Sequence, residues 1–162
     1  MAETTYLPDA SGSTKRPDLI SVLGILTFIN TGLFILIYLL GMLGMTAVGR
    51  LPLEEFVQLM NDAAAQYLQG DQAAMLEEMA VILHSSGVTL MLIFLVRTVV
   101  RLIGMVGIWK GQKNGFYLYA GAQLVGLFAP LLVLPASFLG VFGPLMTVAV
   151  TALYGSQLKR LA

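Results

Sequence analysis

Residues 87–109 read GVTLMLIFLVRTVVRLIGMVGIW, an apolar run in which the only charges are Arg97 and Arg101. The run exceeds the ~20 residues an α-helix needs to cross about 30 Å of hydrocarbon. Polar residues bound it on both sides, His84, Ser85 and Ser86 before it and Lys110, Gln112 and Lys113 after it. It therefore reads as a transmembrane helix, and its two arginines carry a cost. Each costs about 2.5–3.5 kcal/mol at the bilayer centre on insertion scales.

Working outward from this run gives three more spans. Residues 19–43 are apolar apart from Asn30, and the run is too long for the roughly 7–15-residue core of a signal peptide. Pro17 and Asp18 supply helix-start chemistry just ahead of it. Downstream, residues 116–134 form a third span with Gln123 inside it, and 138–158 a fourth. Pro135 marks a tight turn between the last two, and Pro144 is expected to kink the fourth.

Residues 50–84 have a different character. Leu53, Phe56, Val57, Met60, Ala64, Tyr67 and Leu68 recur at helical spacing and form one apolar stripe. Gly70 reads as a stop, and Asp71 starts a second amphipathic helix whose stripe is Met75, Leu76, Met79, Ile82 and Leu83. Interleaved Gln, Asp and Glu keep either helix from spanning, so the pair is expected to lie on the membrane surface or over the ends of the spans. The fold class is thus an all-α membrane protein: a four-transmembrane-helix antiparallel bundle with an external amphipathic helical hairpin between spans 1 and 2. Residues 1–17 form a mobile, polar cytoplasmic tail, and 18–162 a single membrane domain.

Composition agrees. Of 162 residues, 57% are hydrophobic and 11% charged, against about 25% charged in a soluble domain. With zero net charge, nothing points to a nucleic-acid partner. The chain has no cysteine and one histidine, which leaves no ligand set for zinc or an iron–sulfur cluster and no His-based triad. Neither metal nor other cofactor is expected. The spans contain no Asp, Glu, His or Cys, so no catalytic residue is assigned and an enzyme is not expected.

Orientation follows from the basic residues. Lys15 and Arg16 precede the first span, Lys110 and Lys113 join the second to the third, and Lys159 and Arg160 follow the fourth. The other side carries Arg50 alone. The positive-inside rule then places both termini in the cytoplasm and residues 50–84 outside. Trp109, Phe116, Tyr117, Tyr119 and Tyr154 fall at the inner ends of spans, where an interfacial aromatic belt sits.

Candidate functional residues come from the polar minority. Arg97 and Arg101 are one helical turn apart and share a face. Measured from Trp109 they lie about 18 Å and about 12 Å into the membrane. They mark a buried anion, lipid-headgroup or partner contact, or else snorkel towards the cytoplasmic headgroups. Asn30 and Gln123 are the side chains within the spans able to meet them. Lys110, Lys113, Lys159 and Arg160 are candidate lipid-headgroup contacts. His84 is read as a solvated interfacial residue, with pH sensing as the functional alternative. The span glycines read as ordinary packing, since no GxxxG falls inside a span.

Three segments, KRP running into LISVLGILTFINTG (15–32), GIWKGQKNGFYLY (107–119) and ALYGSQLKRL (152–161), form a recognisable set. Together they resemble a group of small, uncharacterised four-span integral membrane proteins of Bacteroidota. The resemblance implies a bacterial inner membrane location and transfers neither an activity nor a site residue.

The function expected from all this is a structural or accessory subunit of a larger membrane assembly. Its partners are the lipid bilayer and other membrane subunits or further copies of itself. The alternative is an oligomeric transporter or channel component with an anion or lipid-headgroup site at Arg97 and Arg101.

Overall fold

The computed structural model describes residues 6–64, 71–138 and 140–162. They form α1 (Asp18–Val48), α2 (Leu53–Ala64), α3 (Asp71–Trp109), α4 (Lys113–Phe128) and α5 (Phe142–Gly155). Short 3-10 turns lie at Ala129–Leu132, Ala136–Phe138 and Leu158–Arg160, and the described residues contain no strand. Three stretches are long and apolar enough to cross a membrane: Asp18–Val48, Met75–Trp109 and Lys113–Leu132. Helix α5, with 14 residues, rises only about 21 Å.

The largest departure from the sequence reading is α3. The second amphipathic segment and the second span are one helix of 39 residues, about 58 Å long and nearly twice the hydrocarbon thickness. The expected break near His84 is absent because nothing there breaks a helix: the stretch has no proline and no positive-φ glycine. Ser85 tucks its hydroxyl back onto the Ile82 carbonyl at 3.2 Å. Only α2 is a separate amphipathic helix, and it packs on the protruding turns of α3. Phe56 is 3% exposed, its ring 6.1 Å from that of His84. His84 is therefore not simply solvated: its Nε2–H donates to the Leu51 carbonyl at 2.8 Å and pins the start of α2. The stripe positions Tyr67 and Leu68 and the expected stop at Gly70 lie outside the described residues.

Proline acts differently from expectation in α5. Pro144 occupies the first turn of that helix, where its missing N–H costs nothing, so it starts the helix and does not kink it. The connection around Pro135 is also longer than the tight turn expected, with α5 beginning only at Phe142.

Lipid is as apolar as leucine, so helices in a bilayer associate through close packing. Glycines set the seams here. On α1 and α3 the register is antiparallel: Gly24 lies against Met105 and Trp109, Gly41 against Met91, and Gly87 against Met45. Tyr38 and Phe94 stack between these points at 5.5 Å. On α3 and α4, Gly104 faces the backbone of Tyr119 and Gly107 faces Gly115. Gly111 supplies the turn between them with φ +79°. The Gln112 N–H reaches the Gly107 carbonyl and the Gly111 N–H the Ile108 carbonyl, both at 2.9 Å, which is a Schellman ending. Gly24, Gly41, Gly87, Gly104, Gly107 and Gly115 are thus specific contact points, whereas a Cβ at Gly32, Gly44, Gly121, Gly140 or Gly143 would meet nothing within 4 Å.

The core sits at the end where the termini meet. Tyr6, Ile20, Met105, Ile108, Tyr119, Tyr154 and Leu161 form one buried cluster. Residues 6–17 are not a mobile tail but a docked strap. The Tyr6 hydroxyl donates to the Ile108 carbonyl at 2.8 Å, which already accepts from Gly111, and to the Trp109 carbonyl at 3.1 Å, tying the strap to the C-terminus of α3. Burial pushes the Tyr6 phenol up, so it stays a donor at neutral pH. Arg160 pairs with Asp9 at 2.8 Å and donates to the carbonyls of Ser13 and Lys15. Arg16 lies 3.7 Å over the Trp109 ring. Backbone bonds of Ala162 to Lys113 and Gly111 close the knot.

Candidate functional site

The polar groups of the apolar helices gather around the middle of α3. Arg97 and Arg101, one turn apart, diverge to opposite neighbours. Arg101 Nη2 donates to Asn30 Oδ1 on α1 at 2.5 Å. Arg97 Nη2 donates to Gln123 Oε1 on α4 at 3.3 Å. The antiparallel register that pairs Gly24 with Trp109 also sets Asn30 opposite Arg101. Glycine places Arg97 as well: a methyl on Gly126 would run into Arg97 Cγ, Cδ and Nε, so only a residue without Cβ lets the arginine stem lie along α4.

A polar chain runs from this pair towards the terminal knot. Gln123 Nε2 donates to the Tyr119 hydroxyl at 3.4 Å. The Tyr119 ring meets that of Tyr154 edge-on at 5.0 Å. Thr27 Oγ1 and the Tyr154 hydroxyl share a bond of 2.9 Å that ties α1 to α5. Tyr119 and Tyr154 are each 1% exposed, so they belong to the core and not to an interfacial belt; Tyr117, 56% exposed, is a surface residue.

Two cavities meet the arginines. A cleft of about 290 Å³ between α1 and α5 is floored by Arg101 and Gln123 and bounded by Thr27, Asn30, Tyr119 and Thr147. On the other side of α4 runs a groove of about 600 Å³ whose lining is apolar except for Arg97 and the Tyr117 hydroxyl. A guanidinium has five N–H donors. Among the described residues each arginine head makes one side-chain hydrogen bond, and the Nε of each is buried with no partner. Both acceptors are neutral amides, which orient a guanidinium without cancelling its charge. Each arginine is a fixed cation with spare donors that can hold an anion on its own side of the bundle, a bidentate one best.

The sequence-derived residues divide into two groups. Arg97, Arg101, Asn30 and Gln123 come together. Lys110, Lys113, Lys159 and Arg160 lie apart from them, at the terminal knot. Lys110 and Lys159 are exposed there, whereas Arg160 is spent on the strap and is no free headgroup contact. Sequence reasoning missed Gly126, Thr27, Tyr119 and Thr147. A usable signal existed for two of them, since Tyr119 is one turn before Gln123 and Thr27 just under one turn before Asn30. Among the described residues no three carboxylate or imidazole groups converge as a metal site.

The three long apolar helices make this a membrane protein. Comparison of the chain with family models, curated proteins and solved structures finds no match.

Proposed function

We propose that this is a four-crossing protein of a bacterial inner membrane, with both termini cytoplasmic, acting without catalysis of its own as an accessory subunit of a larger membrane assembly. The orientation rests on charge. The strap, the α3–α4 turn and the C-terminus share one end of the bundle, and with them all the lysines and every arginine except Arg50 and the intramembrane pair. Helix α5 supplies the fourth crossing, with Ala136–Phe138 and Leu158–Arg160 extending its reach.

One observation carries the assembly reading: Arg97 and Arg101 are held by neutral partners, and no Asp or Glu occurs in residues 19–43, 87–109, 116–134 or 138–158. An isolated charge in hydrocarbon is expensive, and such residues pair with something. The counter-charge has to come from another molecule, and a carboxylate on a neighbouring subunit supplies it. Extraction of native membranes into lipid nanodiscs tests this. The wild-type chain should be recovered in a discrete complex of fixed stoichiometry with another membrane protein, and R97L/R101L as a single chain. Recovery of the wild type alone would refute the reading.

The cleft beside Arg101 favours a second reading, an oligomeric transporter or channel component that holds a small anion or lipid headgroup there. Its polar lining from four helices suits a hydrated anion. Retention of an anionic lipid by the wild type and its loss in R101L, read by native mass spectrometry, would support this reading over the first.

A further inference from the structure

We infer that the groove between α3 and α4 receives one transmembrane helix of a different protein, and that this helix carries a single Asp or Glu near the middle of the bilayer. The inference rests on the assembly reading and gives the partner a chemistry.

The groove has the shape for a helix. Its α4 wall runs from Tyr117 to Ala129, about 18 Å of helix rise, and its volume is about 600 Å³. Leu92, Val96 and Val100 form the α3 wall. The α4 wall carries Gly121, and a Cβ there would meet nothing within 4 Å. Ala122 lies next to it. Small residues on an open helix face let a second backbone approach closely, which is what drives helix association where water is absent.

Charge decides the occupant. Arg97 is the one charged side chain in the lining. Gln123 takes one of its donors through a long 3.3 Å bond and leaves the charge uncancelled. Along α3, Arg97 is about 18 Å from Trp109 and about 15 Å from Gly87, which is mid-depth in a hydrocarbon layer of about 30 Å. A phospholipid phosphate belongs at the surface of that layer and would have to leave the headgroup region to reach it. A carboxylate on a transmembrane helix can reside at that depth, neutralised by the arginine it meets. A second copy of this chain cannot supply it at that depth, because residues 19–43, 87–109, 116–134 and 138–158 contain no Asp or Glu, and the acids of α1 and α3, Asp18, Asp71, Glu77 and Glu78, lie at or beyond the ends of the spans. The partner is therefore a different protein.

The test uses the full-length chain in phosphatidylcholine vesicles. The probes are synthetic Leu/Ala helices of about 21 residues with lysine ends and either Glu or Leu at the central position, and association is read by energy transfer. The Glu helix should bind the wild type at least tenfold more tightly than the Leu helix. In R97L that margin should vanish, while R97K should keep part of it. A122L retains the charge but fills the groove, and should weaken binding of both helices. These two variants decide the matter if R97L does not fold. Equal binding of the two helices to the wild type overturns the inference. So does a margin that survives R97L but is lost in R101L, or displacement of the Glu helix by phosphatidylglycerol in the vesicles. If native membranes yield a stoichiometric complex but the peptide margin is absent, the groove inference falls and the assembly reading stands.

Discussion

Gly104→Ala offers the sharpest test of how the bundle is held. A Cβ built at Gly104 falls 2.5 Å from the Tyr119 nitrogen and 2.8 Å from its Cα, whereas ordinary contact begins at 3.4 Å. The shortfall is about 1 Å against backbone, which no rotamer change relieves; α3 and α4 must separate. Overpacking of this kind costs about 1–3 kcal/mol. In a helix interior, alanine also gains roughly 1 kcal/mol over glycine, which blurs the measurement unless it is cancelled. Gly121→Ala cancels it: the position is inside α4 with nothing within 4 Å of a Cβ. The difference between the two variants isolates the clash, about 1–3 kcal/mol, or roughly fivefold to 150-fold in the unfolding equilibrium. Unfolding in mixed micelles of rising denaturing-detergent fraction, followed by Trp109 fluorescence, reads it directly. Separation of the helices also displaces Tyr119, so the Gln123 bond to Arg97 should weaken in the same variant. If Gly104→Ala is as stable as Gly121→Ala, the close α3–α4 seam is wrong.

Further outcomes follow from the same contacts. Because the chain lacks cysteine, cysteines placed singly at Ser11 and Asn61 should react from opposite faces of intact cells, and labelling of both from outside would break the topology. Tyr6→Phe removes the donor to the Ile108 and Trp109 carbonyls and should cost about 1–3 kcal/mol, read by thermal unfolding in detergent; an unchanged midpoint would show that the strap holds nothing. Hydrogen bonds from Ser11, then Arg160 and the Ser13 backbone, hold the Asp9 carboxyl well below the usual carboxylate range. Its folded pKa is below its unfolded value, so its contribution is full above about pH 4 and is lost as pH falls further. Thermal unfolding followed at Trp109, under Arg16 of the same strap, should report that loss as a midpoint that falls on acidification below about pH 4. A D9N variant should lose less stability over this range, and a wild-type unfolding midpoint that stays flat from about pH 5 to about pH 2 would refute the linkage.

The sequence by itself determined the class of protein. Length and hydrophobicity of 19–43, 87–109 and 116–134 are properties of contiguous residues, and the bilayer reads them residue by residue. The placing of basic residues is equally local, so the proposed orientation was legible too. So was the pairing of candidates at the site, in outline: once Arg97 and Arg101 share a face, Asn30 and Gln123 are the amides within the spans that can meet them. What the sequence missed depends on contacts between distant segments. A terminal polar stretch reads as mobile until Tyr6 meets the Ile108 and Trp109 carbonyls at the end of α3 and Arg160 meets Asp9. His84–Ser86 reads as a boundary until α2 packs across it and one helix continues through. Tyr119 and Tyr154 look interfacial by position, yet the α4–α5 contact buries both. Only the tertiary register could reveal that Gly126 makes room for the Arg97 stem, because that role is defined by a side chain 29 positions away in the chain. Periodicity and composition record what each residue prefers in water or lipid; which neighbour satisfies it is fixed by how the helices pair.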